Sequence, residues 1–116
     1  MLQFINPLLH KALQSISPCQ LCNVEQQQIH SVCADCWQQL PWLKSTVQRQ
    51  EMEIHTTCHY DYPIDRIIQK FKYEQQLHFQ QLLAGALMQL RLPKIQAIVP
   101  MPISKQRLTE RGYNQS

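Results

Sequence analysis

The chain has 116 residues, of which 44% are hydrophobic and 16% are charged. This length suits an ordinary domain and excludes a large multi-domain enzyme, and the composition is not that of a disordered tail. No apolar run approaches the ~18 residues that a membrane-spanning helix needs, so we expect no membrane insertion. The net charge of +3 is mild and does not by itself indicate a nucleic-acid-binding protein.

The first predicted element is a short amphipathic helix over residues 1–16. Its apolar side chains recur at spacings of three and four, as on one face of a helix. These side chains are Leu2, Ile5, Leu9, Leu13 and Ile16. The segment has no cationic leader before a continuous apolar stretch and no small-residue cleavage site, so it does not resemble a signal peptide. We therefore expect a cytoplasmic protein with reduced cysteines.

Four of the five cysteines form two pairs with the spacing C-x2-C-x10-C-x2-C. They are Cys19, Cys22, Cys33 and Cys36. In a reducing compartment, such pairs are typical of metal ligands. Four thiolates can surround a zinc ion at a Zn–S distance of about 2.3 Å and leave no position for water or substrate. The pattern predicts a structural zinc site, and it fits a redox pair or an iron–sulfur cluster less well.

The fifth cysteine, a histidine and two tryptophans are weaker signals than the cysteine pairs. Cys58 lies far along the chain, and we expect a small buried residue there rather than a ligand. His30 lies between the pairs and is the weaker candidate for a metal ligand. Trp37 and Trp42 predict a small aromatic core beside the metal site rather than an exposed platform for bases.

The polar residues 44–53 are predicted to be a linker, with modules at residues 1–43 and 54–116 on either side. An alternating strand is expected over residues 54–62, and the spacing of Ile64, Ile67, Ile68 and Phe71 predicts a helix. A second helix is expected over residues 77–90, with Leu83, Leu87 and Leu90 on one side. Gly85 predicts close packing against a neighbour.

The apolar residues 95–99 suit a buried strand of a parallel sheet. The order strand, helix, helix, strand indicates an α/β unit. After this strand the chain carries prolines and then Arg107 and Arg111. Open α/β sheets place ligand sites at the carboxyl ends of their strands, and arginine is suited to phosphate. A solvated, basic start of a helix explains the same residues equally well.

Three motifs in order resemble the ComF family of competence proteins. They are the paired cysteines, YDYPIDRIIQKFKY at residues 60–73, and VPMP followed by RGYNQ at the end of the chain. The resemblance implies a double zinc ribbon and a type I phosphoribosyltransferase-like domain, of which this chain would be the N-terminal half. It implies zinc bound by the four paired cysteines. The implied ligand-binding signature is Lys72, Arg107, Arg111, Asn114 and Gln115.

The resemblance also implies a role in natural transformation, with competence or DNA-processing proteins as partners. Family members carry an acidic loop that binds phosphoribosyl pyrophosphate with Mg²⁺, and no Asp-Asp or Glu-Asp followed by Thr and Gly occurs here. We therefore expect a zinc-stabilised interaction module without turnover and nominate no catalytic residue. The alternative is an active phosphoribosyltransferase if the natural chain continues past Ser116. Arg66, Lys70 and Lys72 offer weak support for single-stranded DNA binding.

Overall fold

The structure is a computed structural model that describes residues 6–116, without the side chains of residues 10, 14 and 15. The elements over this range, in chain order, are α1 (Pro7–Ile16), α2 (Ala34–Gln38), β1 (Trp42–Arg49), β2 (Met52–Cys58), α3 (Ile64–Tyr73), a 3-10 turn (Leu77–Phe79), α4 (Gln80–Leu87) and α5 (Lys105–Arg111). The expected mixture of helices and strands is confirmed. None of the helices in residues 6–116 has the length and apolar character needed to cross a bilayer.

The predicted N-terminal helix is confirmed from Pro7 onward, while Leu2 and Ile5 lie outside the described residues. Proline suits the first position of a helix, where its missing N–H would have no partner. The side chain of Asn6 caps this end by accepting a hydrogen bond from the Leu8 amide at 2.9 Å. The apolar side chains of α1 are exposed to solvent, so this helix lies outside the core.

Strands β1 and β2 form an antiparallel hairpin, with Trp42 opposite Cys58 and Arg49 opposite Met52. The prediction of a linker over residues 44–53 is wrong, because these residues form most of β1 and the turn into β2. Six of the eight residues of β1 are exposed and none is buried, whereas three of the seven residues of β2 are exposed. A strand such as β1, which buries neither face, has no need of alternating apolar residues, so its sequence resembles a polar linker.

Helix α3 has the predicted buried stripe. Ile64, Ile67 and Phe71 are buried, and Ile68 packs against the same cluster. This is the spacing of three and four that places side chains on one helix face.

The second predicted helix is shorter than expected and buries a different face. The 3-10 turn and α4 together cover residues 77–87 rather than 77–90. The buried residues are Phe79, Leu82, Gly85 and Ala86, while Leu87 is 60% exposed. Of the expected stripe, Leu83 packs against the core, but the prediction is wrong at Leu87.

One core joins the cysteine pairs to the later helices. Its buried members are Cys19, Val32, Cys33, Leu40, Ile64, Ile67, Phe71, Phe79 and Leu82. The contact is close at Gly85, where an added Cβ would overlap the ring of His30. The predicted close packing at Gly85 is confirmed, and its neighbour is the segment between the two cysteine pairs.

Residues 95–99 form no strand, and the prediction of a parallel sheet is wrong. Within residues 6–116 the only sheet is the antiparallel β1–β2 pair. Ile98 is 84% exposed and Val99 is 83% exposed. An apolar composition suits a strand, but a strand also needs a neighbour to complete its hydrogen bonds. The structure does not show a phosphoribosyltransferase-like fold.

Candidate functional site

Each cysteine pair lies on a tight turn in which a backbone amide points at the first sulfur of the pair. The Leu21 amide donates to the Sγ of Cys19 at 3.4 Å, and the Cys36 amide donates to the Sγ of Cys33 at 3.5 Å. Cys33 is also the N-cap of α2. Amides in these positions stabilise negative charge on sulfur.

The four sulfur atoms converge on one point. The Sγ atoms of Cys19, Cys22, Cys33 and Cys36 all lie within 4.8 Å of one another. The Sγ atoms of Cys22 and Cys33 are 3.9 Å apart. A regular tetrahedron with Zn–S distances of about 2.3 Å has S–S edges of about 3.8 Å. The donor set therefore fits zinc, and bound zinc would supply the positive charge that holds four thiolates together.

The surroundings of the sulfurs shift the pKa values of Cys19 and Cys36 in opposite directions. Burial alone would raise the pKa of Cys19, but hydrogen bonds from the amides of Cys22, Cys33 and Leu21 outweigh burial and lower that pKa to about 6. Burial raises the pKa of the Cys36 thiol, and its hydrogen bonds to the other cysteines raise it further. Cys19 thus ionises more readily than Cys36, and only the ionised form of a thiol binds a metal cation.

The other two candidates from the sequence lie outside this cluster. Cys58 is on β2, partly buried, and packs against the core. The ring of His30 lies 4.9 Å from the ring of Trp37. Trp42 completes the aromatic group, because its ring is 4.8 Å from that of Trp37 and its Nε1 donates to the Trp37 carbonyl at 2.9 Å. The predicted aromatic core beside the cysteines is confirmed.

A groove runs between the cysteine cluster and the start of α3. One part, a cavity of about 370 Å³, is lined by Cys22, Cys36 and Tyr62 among others. The adjoining part, of about 310 Å³, shares Tyr62 and adds Arg66 and Lys70. Tyr62 is 73% exposed. We call this surface the knuckle groove. It places an aromatic ring and two cations beside the cluster of four cysteines.

The basic residues of the C-terminal signature line a different cavity. Lys72, Arg107 and Arg111 surround a volume of about 310 Å³, together with Tyr73 and Glu110. Arg107 and Arg111 share this wall because they are one turn apart on α5. The guanidinium of Arg111 lies 5.3 Å from the centre of the Tyr73 ring. We call this volume the basic cavity.

The residues at the two ends of α5 are of the types that begin and end helices. The Oγ of Ser104 accepts a hydrogen bond from the Arg107 amide at 3.2 Å and caps the start of the helix. Gly112 ends the helix with a φ of 80°, a left-handed conformation that favours glycine. Tyr113 then lies edge-on to Phe71 at 5.4 Å and attaches the segment to the core.

Asn114 and Gln115 do not line the basic cavity. The Nδ2 of Asn114 donates to the carbonyl of Met101 at 3.1 Å, which ties the two sides of α5 together. The Oε1 of Gln115 accepts from the Nη1 of Arg111 at 2.7 Å and orients that guanidinium. In the described chain the side-chain amides of Asn114 and Gln115 therefore hold the Met101 carbonyl and the Arg111 guanidinium in place.

Sequence reasoning nominated three of the six residues that line the basic cavity and missed Tyr73, Gln75 and Glu110. Gln75 lines it and has a φ of 54° in the turn after α3. No spacing or composition points to such a position, because it depends on where the chain turns. Tyr73 and Glu110 had a signal in their position next to Lys72 and Arg111.

Comparison with known proteins gives one informative relative. No protein-family model matches the chain, and no solved structure matches it. Competence protein F of Haemophilus influenzae is 32% identical to this chain over an alignment of 117 positions, which covers 91% of the chain and 46% of the relative. The chain thus spans about half the length of the curated relative that it matches. This similarity, with four cysteines placed as in a zinc ribbon, confirms the resemblance to the ComF family.

Proposed function

We propose that this chain is a zinc-stabilised interaction module with a role in competence, acting in the cytoplasm in the uptake or use of imported DNA. The observation that carries the proposal is a closed cluster of four thiols in a chain similar to Competence protein F. A site with four protein ligands has no open position for a substrate, so its role is structural. A reducing compartment keeps such thiols available for a metal.

The knuckle groove is the surface that the metal centre holds in shape. Cys22 and Cys36 line it on one side, and Tyr62, Arg66 and Lys70 line it on the other. An exposed aromatic ring beside two cations that have no ion pair within residues 6–116 suits a protein partner with acidic groups, such as another competence or DNA-processing protein. The same features would also accept single-stranded DNA, in which bases stack and phosphates pair with cations.

The test removes the charges of the groove and leaves the metal centre intact. Arg66→Ala with Lys70→Ala, placed in the complete gene of a naturally competent host, is expected to lower transformation frequency at least tenfold while zinc content stays normal. Gln69→Ala is the matched control, because this residue is exposed on the same helix and does not line the groove. Transformation unchanged in the double variant would refute the role of this surface.

A salt titration separates the two kinds of partner. Contacts with DNA phosphates release counterions, so affinity for single-stranded DNA must fall steeply as salt increases. If the chain binds DNA through the groove, the double variant will weaken binding and flatten the salt dependence. Absence of binding at all salt concentrations would exclude DNA as the ligand of this chain and leave a protein partner.

A second candidate function is that of a phosphoribosyltransferase. The observation that favours it is the basic cavity, where Lys72, Arg107 and Arg111 can reach one phosphate group. No acidic pair followed by Thr and Gly is present in the sequence to bind the ribose phosphate. We therefore expect this chain to bind phosphoribosyl pyrophosphate with a Kd above about 1 mM, a free energy weaker than about 4 kcal/mol.

Calorimetry with Mg²⁺ present tests this expectation. Micromolar binding that disappears in Arg107→Ala and persists in Lys105→Ala would favour the enzyme over the interaction module. Lys105 is the control because it is exposed on the same helix and does not line the cavity. Micromolar binding that neither variant changes would place the ligand at another site.

A further inference from the structure

We propose that a third cavity, between the β1–β2 hairpin and the end of α4, is a binding site for a small sugar phosphate or polyol phosphate. This site goes beyond the proposed function and shares no residue with the basic cavity or the knuckle groove. The cavity has a volume of about 400 Å³, within the range of small-molecule sites. Its nitrogen-bearing residues are Lys44, His55, Gln89 and Arg91.

The charges around this cavity have one sign. Lys44 and Arg91 line it, and no carboxylate does. Across residues 6–116 neither cation has an ion-pair partner, and the Lys44 ammonium lies 5.1 Å from the centre of the Trp42 ring. Two like charges on the wall of one cavity repel each other, and an anion bound between them would relieve the repulsion. An oxyanion such as phosphate satisfies both, because it accepts several charge-assisted hydrogen bonds.

The backbone at Lys44 is unusual in a way that bears on this site. The register of β1 against β2 shifts between Trp42 and Ser45, as at a β-bulge. Lys44 within it has a φ of 45°, a left-handed conformation that is uncommon for a residue with a long side chain. Bulges redirect side chains, and residues in disfavoured conformations cluster at ligand sites. The bulge places Lys44 on the wall of the cavity.

Hydroxyl groups line the remaining wall and indicate the rest of the ligand. Thr56 Oγ1 donates to the Ser45 carbonyl at 2.9 Å, and Thr46 Oγ1 lies 3.2 Å from His55 Nδ1. The Nε2 of Gln89 donates to the Gly85 carbonyl at 3.2 Å, and this leaves its amide oxygen as an acceptor. Such groups suit the hydroxyls of a sugar or polyol. No Phe, Tyr or Trp side chain lines the cavity, so a nucleobase would find only the imidazole of His55 to stack on here.

Calorimetry on the zinc-loaded chain tests the site with glucose 6-phosphate, inorganic phosphate and uncharged glucose as probes. We expect a Kd of about 1 mM or tighter for glucose 6-phosphate, weaker binding of inorganic phosphate and none of glucose. Lys44→Asn and Arg91→Gln should each weaken the binding of glucose 6-phosphate at least tenfold. Asparagine is chosen at position 44 because it tolerates the left-handed conformation and removes the charge.

The controls remove charge nearby without touching the cavity. Arg49→Gln on the same hairpin and Lys94→Gln after α4 should leave the Kd unchanged, since neither residue lines the cavity. Equal weakening in these controls, or no saturable binding of any phosphate, would overturn the proposal. Binding lost in Arg107→Gln but kept in Lys44→Asn would assign the phosphate to the basic cavity and overturn it as well. Inorganic phosphate binding as tightly as glucose 6-phosphate would overturn the assignment to sugar or polyol phosphates.

Discussion

The cysteine pairs at residues 19–36 and the basic segment at residues 101–116 both carry candidate functional residues, but the fold holds them differently. Cys19 and Cys33 belong to the buried core. Helix α5 of the basic segment has no buried residue and is defined by its caps at Ser104 and Gly112. Damage to a cysteine cluster built into the core affects the whole fold, whereas damage to a capped surface helix stays local.

The largest expected effect comes from Cys33→Ser. Cys33 is 2% exposed, so this predicted zinc ligand is also a core residue. Three remaining thiolates hold zinc poorly, and in small metal sites the binding free energy of about 10 kcal/mol or more is also folding free energy. We expect zinc content to fall from about one per chain to near zero by elemental analysis, with loss of cooperative unfolding. Cys58→Ser should keep its zinc, and equal zinc in both variants would contradict the four-cysteine site.

Gly85→Ala tests how firmly the cysteine segment is attached to α4. Alanine in place of a helical glycine normally stabilises a helix by about 1 kcal/mol. Here the new Cβ overlaps the His30 ring, so we expect the free energy of unfolding to fall by about 1–3 kcal/mol in urea denaturation. Adding His30→Ala should recover part of the loss, since the two side chains would no longer collide. A stabilised single variant would show that the two segments are not in contact.

Gly112→Ala tests the basic segment, where we expect a smaller effect. A φ of 80° disfavours alanine by about 1–2 kcal/mol, so the end of α5 should unwind. Because α5 buries no residue, we expect helical NMR shifts over residues 105–111 to weaken while the midpoint of global unfolding stays unchanged. Gly112→Asn should retain more of the helix. A lowered global midpoint would mean that the basic segment is as integral to the fold as the cysteines.

The smallest effect concerns Cys58, the one cysteine that lies outside the cluster of four. Burial raises the pKa of this thiol, and the hydrogen bond from Thr57 and the charge of Lys44 offset only part of the rise. Since the thiolate is the reactive form, iodoacetamide should modify Cys58 of the zinc-loaded protein more slowly than a free thiol at pH 8. The rate should increase as pH rises towards the raised pKa. Modification as fast as that of a free thiol would contradict its burial.

Local patterns in the sequence were sufficient for some of these elements. The cluster of four cysteines could be predicted from their spacing, because each pair lies on one tight turn. The buried stripe of α3 follows from Ile64, Ile67 and Phe71, since helical spacing alone brings them to one face. The left-handed end of α5 agrees with the glycine at its C-terminus.

Other elements depended on contacts that no local pattern contains. Strand β1 is recognisable only by its pairing with β2, because its own side chains are mostly polar and exposed. Residues 95–99 have the composition of a strand but no neighbouring strand in the described chain. The closeness of His30 to Gly85 joins residues far apart in sequence. Gly85 alone indicated that something lies close, but not which residue.

The position of His30 gives the protein an internal spectroscopic probe. Its ring is 4.9 Å from that of Trp37 and against the backbone of Gly85. An indole ring at this distance shifts the NMR signals of the imidazole protons by its ring current, and the imidazole in turn lies where it can alter tryptophan fluorescence. Because His30 and Trp37 both belong to the cysteine segment, both signals change if the internal packing of that segment changes. The packing around the cysteine cluster can therefore be followed during chelator treatment or ligand addition without any label on the molecule.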